Sequence, residues 1–213
     1  MGDAQTDRAA SESTFVTPAY YSRPKKGDQL HQGELLRQVW DWIAKYNDDT
    51  GKPDGAQAHI QRLAVVVSQE CDLARDFLDR KHDPMVETDL RSILLCPAFP
   101  AEELKGQRNE MNSSFWRIVR SNKAQRYHYL AKVPAEADAL GKGHDHMLVD
   151  FKSYFAVRTV ELYRQIRAID EKSAAPFTAL NVPWREHLQQ RFASYQARVG
   201  LPFDHFIPEN RRN

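Results

Sequence analysis

A short polar run follows an apolar one in the first half of the chain. Residues 64–67 read Ala-Val-Val-Val, and residues 68–72 read Ser-Gln-Glu-Cys-Asp. Side chains at the end of a buried strand often form sites, because a rigid element holds them at the surface. Ser and Asp are also favoured at helix starts, where they accept hydrogen bonds from free backbone N–H groups. The run therefore predicts a strand end and a helix cap, with a functional edge as the alternative.

Neither a thiol nucleophile nor a metal centre is indicated by the polar residues. Cys71 would need its thiolate, but carboxylates outnumber cations around it, so we expect a buried or half-buried thiol. The chain has no HExxH helix and no paired CxxC, and the His-Asp pairs at His82 and at 144–146 match no metal-ligand spacing. Glycine-rich phosphate loops are also missing from the sequence. We therefore expect no metal and no cofactor.

A segment in the middle of the chain combines cations with aromatic rings. Between residues 105 and 132, seven Lys or Arg residues face a single acid, Glu110. Cations that neutralise phosphates beside rings that stack on bases are typical of nucleic-acid surfaces. The candidate binding residues are Trp116, Arg117, Arg120, Lys123, Arg126 and Tyr127. A solvated charged face on a half-buried strand pair is the alternative interpretation.

Composition limits the class of protein. The 213 residues, 41% of them apolar, suffice for one domain with a sizeable core. The net charge of +1 is unevenly distributed: residues 1–104 hold 12 Lys and Arg against 18 Asp and Glu, residues 105–151 hold 8 against 5, and residues 152–213 hold 10 against 6. No membrane-spanning stretch, secretory signal or disulfide framework is visible. We expect a cytoplasmic protein without a membrane partner.

The first part of the chain divides into a tail, an apolar stretch and a loop. Residues 1–27 are polar and turn-prone, which predicts a flexible tail before a single domain over 28–213. Residues 30–46 carry apolar side chains at spacings of three and four, which predicts a helix, with a strand at 34–40 as the alternative. Turn residues predict an exposed loop at 47–58.

The middle of the chain predicts strands. The apolar runs 63–68 and 92–99 have the length of strands buried on both faces, and a short helix capped by Asp72 is expected between them. Residues 116–121 and 126–133 alternate between polar and apolar side chains, which predicts a hairpin of two half-exposed strands.

The last third of the chain ends in a helix. Residues 146–166 predict one or two further strands that pass into a helix near Glu161. A C-terminal helix is predicted at about 183–199, with a proline at its start and a glycine and a proline after its end. The fold class expected is α+β: a small, mostly antiparallel bent sheet or SH3-like barrel over about 30–165, covered by the C-terminal helix.

Four short motifs resemble the strands of the MazF/PemK-like toxins. They are QGELL (32–36), RLAVVVSQ (62–69), SILLCPAF (92–99) and LVDF (148–151). Members of that family are small SH3-like barrels that act as bacterial endoribonucleases. The similarity covers about residues 30–160 and implies a barrel of this kind.

Through this resemblance, Arg62 stands where the family keeps a catalytic arginine. The family's Gly-Asp-Ile-Val opening corresponds to residues 33–36 and its Arg-Pro-Ala-Val-Val strand to residues 62–66, with Leu63 replacing the proline. The family's Thr or Ser after the next strand falls near Phe99, which has no hydroxyl. The catalytic set is therefore incomplete, because RNA cleavage needs groups that activate the ribose 2′-hydroxyl and protonate the leaving oxygen.

Two functions follow from the sequence. The first is a non-catalytic binding module, linked to a toxin-antitoxin or defence system, that offers its basic-aromatic segment to RNA, DNA or an acidic protein partner. The second is a MazF/PemK-like endoribonuclease that cleaves single-stranded RNA, in which Arg62 works with Ser68, Asp72 or His128. A homodimer is a further expected form of partnership.

Overall fold

A computed structural model describes residues 19–25, 29–83, 86–105, 111–168 and 174–198. Its strands are β1 (Tyr21–Ser22), β2 (Glu34–Tyr46), β3 (Pro53–Val66), β4 (Ser92–Pro100), β5 (Tyr127–Leu130), β6 (Met147–Asp150), β7 (Phe155–Arg158) and β8 (Ala175–Leu180). Its α-helices are α1 (Glu70–Asp79), α2 (Ala101–Lys105), α3 (Ser113–Arg120), α4 (Thr159–Arg167) and α5 (Trp184–Gln196). None of these described helices is both long and apolar enough to cross a membrane.

The strands form one curled antiparallel sheet, which confirms the predicted α+β class. Its order is β1-β8-β2-β3-β4-β6-β5, and β7 also pairs with β4. The first half of β4 pairs with β7 and its second half with β6, so the sheet divides along this strand and bends around it. Residues 146–166 supply β6, β7 and most of α4, as predicted.

The two apolar runs predicted as buried strands are neighbours in the sheet. Val65 pairs with Cys96 and Val66 with Leu95 where β3 meets β4, and all four side chains are buried. Branched and apolar residues suit strands that are covered on both faces. The pairing of β3 with β4 therefore lies in the buried centre of the sheet.

The helix predicted at 30–46 is wrong, and the alternative strand is correct, since β2 occupies most of this stretch. Leu35 and Leu36 are both fully buried but belong to different core clusters. Successive strand residues point to opposite faces of a sheet, so two adjacent buried leucines require a core on each side. β3 begins inside the loop predicted at 47–58, and only residues 47–52 connect the two strands.

The strand predicted at 116–121 is also wrong, because these residues lie in α3 and the turn after it. The Asn112 side chain accepts a hydrogen bond from a backbone N–H of the first turn at 2.9 Å, as a helix N-cap does. Trp116 and Val119 are buried three residues apart, which is the spacing of an amphipathic helix. The strand predicted at 126–133 is confirmed in part as β5.

Two strands, β1 and β8, were not predicted. β8 lies between β1 and β2, and Tyr21 of β1 pairs with Leu180. The Tyr21 ring is buried, and its hydroxyl donates a hydrogen bond to the Ala131 carbonyl at 2.7 Å. The flexible tail predicted for 1–27 therefore extends too far; its residues 1–18 lie outside the described part of the chain.

The C-terminal helix predicted at 183–199 is confirmed as α5. Leu188 and Phe192, one turn apart, are buried in the main core cluster with Phe151 and Phe177. The α5 helix therefore packs its apolar side on the sheet, and its predicted end signals lie outside the described residues.

Candidate functional site

The four residues predicted as catalytic do not meet. The Arg62 side chain is 72% exposed and pairs with Glu103, at 2.7 Å between Nη2 and Oε2. Ser68 is buried and accepts a hydrogen bond from a backbone N–H of β4 at 2.8 Å. Asp72 is exposed on α1, whereas His128 is buried on β5. Among the described residues, no hydrogen bond or ion pair joins any two of the four.

The cap predicted at the start of α1 is wrong as well. Gln69 occupies the N-cap position, and no side chain caps the helix. Ser68 accepts a hydrogen bond from a backbone N–H of β4. Asp72 lies inside the first turn of the helix, not at its N-cap. Cys71 is exposed, not buried as expected, because it lies on the outer side of α1 next to Gln69 and Asp72.

His128 helps to attach α5 to the sheet. The Arg191 guanidinium lies 2.8 Å from Asn122 Oδ1 and 3.4 Å from His128 Nδ1, and it donates to the Tyr127 carbonyl at 3.0 Å. Burial, together with the charges of Arg191 and His187, holds the pKa of His128 well below its usual range. A neutral, buried ring packed in this way is a structural part of the α5 contact.

The predicted nucleic-acid residues separate into buried and exposed groups. Trp116 and Tyr127 are buried in the cluster beneath α3, so the expectation that their rings face bases is wrong for this conformation. Arg126 donates two hydrogen bonds to the buried Asp150, at 2.8 and 2.6 Å. The exposed cations of the set are Arg117, Arg120 and Lys123.

A groove with a volume of about 450 Å³ lies beside Arg62. We call it the Arg62 groove. Its lining includes the guanidinium groups of Arg37 and Arg62, the imidazoles of His59 and His144, and the aromatic ring of Phe99. Among the described residues, no carboxylate lines it. Arg37 also lies over the Phe177 ring, 5.2 Å from its centroid, which fixes one cation at the groove wall.

A row of cross-strand neighbours leads from this groove to α3. Phe99 pairs with Leu148, and Leu148 pairs with Tyr129, so the three side chains share one face of the sheet. Arg120 lies 6.0 Å from the centroid of the Tyr129 ring, and His146 stacks on the same ring at 5.3 Å. Phe99 and Tyr129 are half-exposed, whereas Leu148 between them is buried in the cluster beneath α3. One ring therefore lies at the groove and the other near the exposed end of α3, on opposite margins of that cluster.

A second, smaller pocket forms where β2 begins and β3 ends, and we call it the carboxyl-histidine pocket. Gly33 turns the chain into β2 with a φ of +78°, and its N–H donates to the Val66 carbonyl at 2.9 Å. A Cβ at this position would lie 2.9 Å from the Arg185 side chain, so the close approach requires glycine. The turn places Glu34 beside Glu70, the first residue of α1.

The Glu70 side chain contacts three groups beside this pocket. Its carboxylate lies 2.6 Å from His31 Nδ1, accepts the Gln32 backbone N–H at 2.8 Å, and lies 3.9 Å from the Arg185 guanidinium. Burial opposes ionisation of Glu70, but the hydrogen bonds and the nearby cation outweigh it and lower the pKa of Glu70. Because a carboxylate only accepts, His31 Nδ1–H is the donor in its contact with Glu70.

Glu34 is the most perturbed carboxyl of the pocket. It is 1% exposed and accepts the His31 backbone N–H at 3.0 Å. Burial, and to a lesser degree the charge of Glu70, raise the pKa of Glu34 to about 7. The pocket has a volume of about 120 Å³, and Arg23, Lys25 and Arg185 also line it. A carboxyl that exchanges its proton near neutrality beside three cations is suited to acid-base chemistry on an anion.

Sequence reasoning located this corner but selected other residues in it. The polar run 68–72 was recognised as a candidate edge, yet its Glu70, not Ser68 or Asp72, contacts the pocket. In the sequence, Glu34 stands out only as part of the QGELL motif. The contact between the two segments depends on the β2–β3 register, and the contribution of Arg185 depends on α5.

Comparisons with protein-family models, with curated proteins and with solved structures find no match to this chain. Within the part of the chain that the structure describes, no three His, Cys, Asp or Glu side chains are grouped to hold a metal ion.

Proposed function

We propose that the protein binds single-stranded nucleic acid, RNA or DNA, through the Arg62 groove and the exposed end of α3. The observation that carries the proposal is the row of side chains that joins them. Cations stand at both ends of the row, at Arg62 and Arg120, with the half-exposed Phe99 and Tyr129 between them. Single strands are bound by such alternation, because cations neutralise phosphates and rings stack on bases.

The Arg62 ion pair is compatible with this role. Both partners are substantially exposed, and exposed ion pairs contribute only about 0–1 kcal/mol to stability. A phosphate can therefore replace Glu103 as the partner of Arg62 at little cost. The paired Arg126 and the buried Trp116 and Tyr127 are left out of the proposed surface.

Fluorescence anisotropy with labelled 12-nucleotide RNA and DNA strands at several salt concentrations tests this proposal. We expect Arg62→Glu and Arg120→Glu each to weaken binding and to lower the slope of log affinity against log salt, by roughly one per lost phosphate contact. Lys81→Glu is the matched control, because Lys81 is an exposed cation beyond α1. Failure of the wild-type protein to bind at low salt, or equal losses in all three variants, would contradict the proposal.

A second function, cleavage of RNA, is proposed for the carboxyl-histidine pocket, and the environment of Glu34 favours it. In the proposed step, His31 Nε2 takes the proton of a ribose 2′-hydroxyl, and that oxygen forms a bond to phosphorus. The bond from phosphorus to the 5′-oxygen breaks as protonated Glu34 donates its proton to the leaving oxygen. Glu70 orients His31, and Arg185 balances the charge of the phosphate.

Matched RNA and DNA strands of one sequence test this second function. We expect only RNA to be cut, since DNA lacks the 2′-hydroxyl, and Glu34→Gln and His31→Gln to abolish cleavage. Glu186→Gln is the control, because Glu186 also contacts Arg185 but is absent from the pocket lining. Cleavage of both strands, or undiminished cleavage by Glu34→Gln, would rule out this mechanism.

A further inference from the structure

The outer parts of β2 and β3 form a two-stranded arm, residues 40–60, with one wholly apolar face. Three consecutive pairs of alternate residues build this face: Trp40 with Ile60, Trp42 with Ala58, and Ala44 with Ala56. Cross-strand partners and residues two apart along a strand point to the same side of a sheet. The opposite face carries polar pairs such as Asp41 with His59.

The apolar face of the arm is largely open to solvent. Trp42 is 55% exposed and Ile60 is 45% exposed, and Ala44 and Ala56 are exposed beside them. A two-stranded ribbon is at best marginally stable on its own. A contiguous exposed apolar surface typically marks an interface. The exposed apolar face of the arm is therefore a candidate interface.

A groove of about 690 Å³ runs along the base of the arm. Trp40 and Trp42 form one of its walls, and α4 with the end of β7 forms the other through Val157, Val160 and Arg164. The Gln165 side chain fixes the base by bonding the Trp40 backbone N–H and carbonyl, at 2.9 and 3.0 Å. Because the arm is a wall of its own groove, it cannot also fill that groove.

The charges of the arm and the groove complement each other. The end of the arm carries Asp48, Asp49 and Asp54 against two lysines. The far wall of the groove carries Arg158, which pairs with Glu87, and Arg164, which pairs with Glu161. Both arginines are mostly exposed, and exposed ion pairs contribute only about 0–1 kcal/mol, so they can exchange these partners for the acids of an arm. The same polarity extends over the chain, since its first 104 residues are net acidic and the rest net basic. A second copy thus offers an acidic arm to this groove and receives one in return.

The exchange uses a limited set of residues from each copy. The apolar face brings six residues of the arm, its acidic end three, and the groove wall on α4 and β7 six more, which is fewer than the roughly 20–30 per partner of a standard interface. We therefore expect a weak, concentration-dependent dimer. In a two-fold arrangement both copies contribute both surfaces, so one contact type closes the assembly.

We propose that two copies of this chain associate by exchanging their arms, with the Trp42 face of one arm in the groove between the arm and α4 of the other copy. The proposed interface shares Ile60 and His59 with the lining of the Arg62 groove and shares no residue with the lining of the carboxyl-histidine pocket. Trp42 lines neither of these two sites, so a substitution there tests the dimer separately from the nucleic-acid and cleavage proposals.

Sedimentation velocity of the full chain between about 1 and 100 µM tests the proposal. We expect a mass twice the 24.6 kDa of one chain, and a loss of at least tenfold in dimer affinity for Trp42→Arg. Leu78→Arg is the matched control, since Leu78 is 64% exposed on α1, away from the arm. A wild-type protein that is monomeric throughout, or a dimer unaffected by Trp42→Arg, overturns the proposal.

Paired charge-reversal variants test whether the arm of one copy binds the groove of the other. Asp48→Lys with Asp49→Lys, and Arg158→Glu with Arg164→Glu, should each weaken the dimer, and mixing the two variant proteins should restore association through the complementary pair. Circular dichroism of each variant confirms that it is folded. Folded variants that weaken the dimer but do not pair when mixed would place the arm elsewhere and overturn the assignment of the groove.

Discussion

The β2–β3 pair has an inner half and an outer half that differ in almost every physical respect. In the inner half, Leu35 and Leu36 are fully buried in two different core clusters. In the outer half, Trp42 and Ile60 belong to one apolar face and remain about half exposed. One continuous hairpin thus supplies the centre of the fold at one end and an uncovered surface at the other.

The comparison shows that regular pairing alone does not determine what a strand does. The register between β2 and β3 is the same on both sides of Gln38, at Leu35 to Arg37 and at Val39 to Ala44, so the two halves are paired in the same way. They differ in what lies against their faces. A core cluster covers each face of the inner half. Glu34 and the carboxyl-histidine pocket lie where β2 begins.

The largest contrast is expected in stability. Leu35→Ala should lower the free energy of unfolding by about 2–5 kcal/mol, because it removes buried contacts and leaves a cavity. Trp42→Ala should change it by less than about 1 kcal/mol in dilute solution, because the ring is already half exposed. Urea denaturation of both variants measures the difference. Equal losses would show that the arm is part of the core.

The same contrast explains what could be predicted from the sequence. The inner strand runs 63–68 and 92–99 were recognised because β-branched and apolar residues are concentrated in them. The stretch 30–46 was misassigned because a strand buried on both faces loses its alternation, and bulky residues at spacings of three and four then imitate a helix. Beyond residue 39, Trp40, Trp42 and Ala44 alternate as strand residues do. The sequence alone does not show that the face they form is exposed.

A second test uses the pH dependence of the inner half. The pKa of Glu34 is about 7 in the folded protein against an ordinary value of 4.5, so the folded state binds this proton more tightly than the unfolded chain. Stability is therefore lost as the pH rises from about 4.5 to 7. Glu34→Gln does not titrate, so it should exceed the wild type in stability by up to about 3 kcal/mol at pH 8 and match it below pH 4.5.

Urea denaturation at pH 4.5, 6 and 8 measures this difference, with Glu186→Gln as an exposed control that should follow the wild type. A Glu34→Gln difference that stays constant with pH would mean that Glu34 titrates normally in the folded protein.

The candidate site was less accessible to sequence reasoning than the fold. Glu34 and Glu70 are 36 positions apart, and Arg185 belongs to a helix more than a hundred residues further along. Only the pairing of β2 with β3 and the packing of α5 bring them together. Family resemblance points to Arg62, whereas Arg37 and the two imidazoles around it in the groove come from β2, β3 and the loop at His144.

A third test addresses the junction between the two halves. Gln38 adopts a φ of 54°, a left-handed conformation that is costly for branched side chains. Gln38→Val should therefore lower the free energy of unfolding by about 1–2 kcal/mol. Gln38→Gly should leave it within about 1 kcal/mol of the wild type, since glycine accepts this backbone. Equal effects of the two substitutions in urea denaturation would show that backbone strain does not define the junction.

The smallest effect on stability is expected at Arg62, on the outward stretch of β3 between the two halves. Its ion pair with Glu103 is exposed on both sides, so Arg62→Ala should change the free energy of unfolding by less than about 0.5 kcal/mol. The same variant should weaken nucleic-acid binding, because the proposed role of the arginine is contact with phosphate. Urea denaturation and anisotropy on one preparation compare the two effects. A large loss of stability would make Arg62 a structural residue, and its effect on binding would then follow from unfolding.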